Sequence, residues 1–140
     1  MRRLLLLGIP FLLAAAGGCK SAPTPIEARA SAAQKLARVG LEVVSDDAAA
    51  MPPAERVRWI PCRVVPGFPR PPVPDHVDGY LITNIDRSTG LTRRDMESKI
   101  AAWKEGERLI FTIVRNPYLS AEPGWYEVNV PVKLPAPPGP

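Results

Sequence analysis

The stretch Asp95-Met96-Glu97-Ser98-Lys99-Ile100-Ala101-Ala102-Trp103, joined by Lys104-Glu105-Gly106-Glu107 to Arg108-Leu109-Ile110-Phe111-Thr112-Ile113-Val114-Arg115, decides the fold. Met96, Ile100 and Trp103 stand at i, i+4 and i+7 and share one helical face, while Glu97, Lys99 and Lys104 point elsewhere. The spacing predicts a short helix with one buried stripe. Gly106 breaks that pattern, because glycine takes backbone conformations that other residues resist. Residues 109–115 are branched or aromatic at nearly every position. That run is too short for a stable helix and rich in β-branched side chains, so it predicts a central strand covered on both faces. Helix followed by buried strand sets the class as α+β.

Upstream, Tyr80, Ile82, Asn84 and Asp86 alternate with Leu81, Thr83 and Ile85, which predicts another strand. Arg87-Ser88-Thr89-Gly90 turns the chain back, and Thr92 or Asp95 is placed to cap the central helix. Downstream, beyond a loop over 116–124, residues 125–134 put Tyr126, Val128, Val130, Val132 and Leu134 inward against Glu127, Asn129 and Lys133 outward. Residues 57–65 also have strand character, with Val57, Trp59 and Pro61 on one parity and Arg58, Ile60, Cys62 and Val64 on the other. Pro61 has no N–H to donate, which predicts an edge strand or a bulge there. Leu41-Glu42-Val43-Val44 reads as a first strand, and residues 48–53 as a connector too short and proline-limited for a helix. Pro66, Pro69, Pro71, Pro72 and Pro74 predict a stiff, extended surface loop, and the proline-rich tail 135–140 is expected to be disordered.

The chain opens with Met1-Arg2-Arg3, an apolar run over 4–13, and the small residues Ala14-Ala15-Ala16-Gly17-Gly18 before Cys19. A basic start, an apolar middle and a small-residue end are the order of a secretory signal peptide, and the apolar run is well short of the ~20 residues a bilayer span needs. Ala16-Gly17-Gly18-Cys19 resembles a bacterial lipobox, with alanine where that motif most often has leucine. The resemblance implies cleavage after residue 18, acylation of Cys19, and, with Lys20 rather than an aspartate following, sorting to the outer membrane. Losing Arg2 and Arg3 lowers the formal charge of +4 by two, which removes the main electrostatic support for a nucleic-acid partner. With Cys19 acylated, Cys62 has no intramolecular partner, so the domain holds together by burial and not by disulfides.

After the anchor, Thr24, Pro25 and Glu27 carry the signature of a capped helix start, and the pattern predicts a helix over 25–38 that ends before Gly40. Its stripe, read as Ile26, Ala30, Ala33 and Ala37, is mostly alanine and predicts a weakly docked arm. The expected organisation is a signal peptide over 1–18, a lipid-anchored tether over 19–39, one domain over 40–134 and the tail.

Catalytic and metal chemistry find little support. The lone His76 lies in the proline-rich loop beside Asp75 and near Asp78, with no second histidine for a metal centre. Cys62 falls in a strand and reads as a small buried hydrophobe, not a nucleophile. Asp95 and Glu97 read as first-turn acids favouring the helix N-terminus. No enzyme activity, metal or cofactor is expected.

From Val64 onward the order of elements resembles the bacterial PDZ domain. Val64-Val65-Pro66-Gly67-Phe68-Pro69 is similar to that family's strand end and Pro-Gly-x-Pro turn, residues 80–86 to a following strand, 95–103 to its second helix, and 109–115 to the strand after it. The chain departs from the family in residues 69–77, which do not read as its first helix, and Gly40-Leu41-Glu42-Val43 keeps little of the carboxylate-binding loop. The resemblance implies a small, degenerate PDZ-like domain, a partly open β-barrel or sandwich with one covering helix. It implies a peptide groove with Gly40 and Leu41 at the carboxylate end and Asp95, Lys99 and Ala102 facing the ligand. The expected function is a membrane-anchored envelope module that binds an extended or C-terminal peptide of an envelope protein. The alternative is a structural envelope lipoprotein without a peptide groove.

Overall fold

The computed structural model describes residues 22–120 and 126–137; the leader, Cys19 and Trp125 lie outside them. The elements run α1 (Pro25–Arg38), β1 (Leu41–Val43), α2 (Pro53–Arg56), β2 (Ile60–Val64), β3 (Tyr80–Ile85), α3 (Arg93–Ala101), β4 (Arg108–Arg115) and β5 (Glu127–Lys133). The strands form one five-stranded sheet in the order β1-β2-β3-β4-β5, antiparallel throughout. The result is an α+β fold with an open, curled sheet, a half-barrel, against which helices pack. None of the described helices is long and apolar enough to cross a membrane.

The main core lies between α1, α3 and one face of the sheet. Met96, Ile100 and Trp103 are buried there with Ile82, Phe111 and Ile113, as the helical spacing predicts. Val128, Val130 and Val132 pack on the same side, which follows from the register Phe111↔Val130. On the opposite face a smaller core joins Leu81 and Val114 to Ala49 and Met51, so the middle of β4 is covered on both sides.

Four expectations change. The first concerns α1, whose boundaries and Thr24/Glu27 capping box agree with the sequence reading but whose buried face does not. Ala28, Ala32 and Leu36 are buried at i, i+4 and i+8, whereas Ile26 is 82% exposed. The helix is rotated so that its one large interior residue, Leu36, enters the core, and α1 packs against both α3 and β1. It is therefore part of the packed unit and not a loosely docked arm.

The second is in β3, where a register shift between Ile82 and Asn84 marks a bulge. The additional residue reverses the alternation, so Ile85 joins Tyr80 and Ile82 in the main core instead of sharing a face with Leu81. The third is β2, which is neither an edge nor bulged at Pro61, since it pairs with β1 and β3 in unbroken register. Val44 donates to the Pro61 carbonyl, and Pro61 has no N–H to return that bond. The β1 ladder stops at this point. The same strand begins at Ile60, because the turn of α2 takes the residues before Val57. The fourth is the proline-rich loop, which is not wholly superficial: Val73 is buried in the main core and the Tyr80 hydroxyl donates to the Pro74 carbonyl.

Candidate functional site

Three helix ends meet at a cleft of about 520 Å³ lined by Pro25, Ile26, Arg29, Arg56, Val57, Arg93, Arg94 and Glu97. Capping fixes two of them. Thr24 and Glu27 exchange hydrogen bonds at the start of α1, and Thr92 and Asp95 do the same at the start of α3. The Arg93 N–H then donates to the Val57 carbonyl, tying α3 to the segment that follows α2.

The floor of the cleft is an ion-pair network. Arg93 and Glu97 are each only 6% exposed, and Arg93 Nε donates to Glu97 Oε2 at 3.2 Å. The other end of the guanidinium reaches Asp46 Oδ1 at 2.7 Å, and Glu97 Oε2 also accepts from Arg29 Nε at 3.0 Å. Arg56 is held to the Met51 carbonyl and to Asp47 Oδ1, both at 2.9 Å. A buried charge is tolerable only when its partners compensate for lost water, and this network supplies them. It also corrects the sequence reading of Glu97 as an outward first-turn acid. The Arg93/Glu97 spacing of i, i+4 is a local hint of pairing, but Arg29 and Asp46 are too distant in sequence to leave one.

The residues assigned to a peptide groove differ in exposure. Gly40 and Leu41 are buried, whereas Asp95, Lys99 and Ala102 are exposed along α3. Helix α1 packs on both elements, with Lys35 Nζ donating to the Trp103 carbonyl at 2.8 Å. Gly40 has a φ of 94°, and a Cβ there would lie 2.6 Å from Phe68 Cδ1, so glycine is required for conformation and for the ring's approach. The Asp95 carboxylate accepts from the Thr92 backbone and hydroxyl, and those bonds hold its pKa below the usual value.

His76 is half-buried, and its Nδ1 accepts from the Asp78 N–H at 3.2 Å. Cys62 is enclosed in the main core, and burial pushes its thiol up to about 12. Among the described residues, no cluster of three His, Cys, Asp or Glu side chains is placed to hold a metal ion.

A second cleft, of about 540 Å³, lies on the outer face of the sheet. Thr83, Asn84, Thr112 and Asn129 line it, and the Arg58 guanidinium sits 5.1 Å from the centre of the Trp59 ring at its rim. These groups suit hydrogen bonding and stacking with a polar partner. Comparison with protein-family models, characterised proteins and solved structures finds no match to the chain.

Proposed function

We propose that the chain is a lipid-anchored domain of the bacterial envelope that works by docking, with the acyl chains on Cys19 holding it at the outer membrane. One observation carries this reading. The basic, apolar, small-residue and cysteine order ends at Cys19, only five residues before Thr24, where the packed unit begins. A domain on so short a tether works at the membrane surface, and two or more acyl chains give stable attachment where one is marginal. Intact-mass measurement of the membrane fraction should show a chain beginning at Cys19 with added acyl mass. An unmodified chain in the soluble fraction would end the reading.

A second reading, peptide addition as the PDZ resemblance implies, is favoured by the place of β1 at the end of the sheet. Gly40 and Val44 bond to β2, so by alternation the main-chain groups of half-buried Val43 turn away from that ladder, while Leu41 is fully enclosed. Val43→Pro would remove an outward donor without touching the β1–β2 ladder. Screening random C-terminal peptides against the protein and this variant tests the edge: binding that survives Val43→Pro would place the peptide elsewhere.

A further inference from the structure

Resting on the anchored reading, we propose that the cleft between α1, α2 and α3 is the face laid against the bilayer, where Arg29 and Arg94 meet anionic phospholipid headgroups and Ile26 and Val57 enter the interface. Covalent geometry limits where the domain can sit. Thr24 is the fifth residue after Cys19, so the start of α1 lies within about 18 Å of the acylated residue. The surface next to that point has the two properties that an anionic membrane rewards.

The first is charge. The cleft is lined by four arginines and one carboxylate. Asp46 and Asp47 compensate Arg93 and Arg56 from behind. Arg29 gives its Nε to Glu97, but its side chain remains 62% exposed, and Arg94 is exposed with no ion pair among the described residues. These two are free to meet phosphate oxygens. The second is apolar exposure on both walls, where Ile26 is 82% and Val57 67% exposed. Val77 and Leu119 are exposed as well, but they border a hollow whose charged lining, Arg63 and Asp78, is balanced. Basic and apolar groups coincide at the cleft beside the tether.

The test uses the full acylated protein, purified from membranes and reconstituted in vesicles, with a polarity-sensitive fluorophore on Ile26→Cys and, as control, on Val77→Cys. Cys62 is enclosed and does not compete for the label. A quencher carried on the lipids should quench the probe at position 26 about twofold more in phosphatidylglycerol-containing vesicles than in pure phosphatidylcholine. The difference should shrink in 1 M salt, where the Debye length is about 3 Å, and in Arg94→Glu, which touches no internal ion pair. Position 77 should be quenched less in every case. Equal quenching at 26 and 77, or an effect indifferent to Arg94→Glu, overturns the proposal. Intact mass of the same sample separates the two failures: acylated protein with an unquenched probe sinks only the membrane-facing cleft, whereas absence of acyl mass sinks the anchored reading with it.

Discussion

The indole of Trp103 meets the ring of Phe111 edge-on, with centroids 5.5 Å apart and planes inclined at 64°. Its Nε1 donates to the Glu107 carbonyl at 2.9 Å, so one side chain links the end of α3, the connector and β4. Trp103→Ala should lower stability by roughly 3 to 5 kcal/mol, a large share of what holds a domain of this size. Lys104, next in the chain, is exposed, and Lys104→Ala should change little. Urea denaturation of the two variants checks this; equal midpoints would mean that Trp103 is not packed as described.

The docking of α1 makes a contrast within one helix. Leu36 is fully buried among core residues, whereas Ile26 is almost free of contact. Leu36→Ala should cost about 2 to 5 kcal/mol, and Ile26→Ala should stay within about 0.5 kcal/mol. If the lipid-free protein lost stability to the second and not the first, α1 would present the opposite face.

What was legible in the sequence follows from side-chain size. Met96, Ile100 and Trp103 are large residues at helical spacing, so their common face could be read directly, and the alternation of β5 was as plain. In α1 the alanines occupy almost every direction around the helix, and the periodicity could not tell Ala28 and Ala32 from Ala30 and Ala33. Leu36 was the decisive residue there. The bulge in β3 left no local trace either, because its register is set by β4, far along the chain. The candidate cleft was the least legible part. Arginines that look like solvated surface charge when read singly become a site only when α1, α2 and α3 converge.

The buried network makes its own prediction. Glu97→Ala would strip Arg93 of one of its two carboxylate partners while leaving the guanidinium enclosed, and should cost about 3 to 5 kcal/mol. Replacing both, with Arg93→Leu beside Glu97→Ala, removes the uncompensated charge and should cost less than the two single changes added together. Arg29→Ala, at the exposed end of the same network, should cost no more than about 1 kcal/mol. Additive costs for Arg93 and Glu97 would show that the pair is not coupled.

Cys62 sets the response to alkali. Its thiol ionises near 9.0 in the unfolded chain, but burial in the core pushes it up to about 12 in the folded one. Below the lower value the thiol is protonated in both states, so it contributes no pH dependence. Between the two values the unfolded chain releases the proton and the folded chain keeps it, so stability must fall as pH rises, by about 1.4 kcal/mol per unit. Cys62→Ala abolishes this contribution, although the smaller side chain lowers stability at every pH. Between pH 8 and pH 11 the native sequence should therefore lose roughly 2 to 3 kcal/mol more than the variant does, measured as the difference of two denaturation series. Titrating groups that do not interact with Cys62 are common to both proteins and cancel in that comparison; Tyr80 is the exception, because the Cys62 charge is the smallest of the influences that push it up. Parallel pH profiles would mean that the thiolate is accommodated in the folded state, and Cys62 would then react with alkylating reagents without prior unfolding.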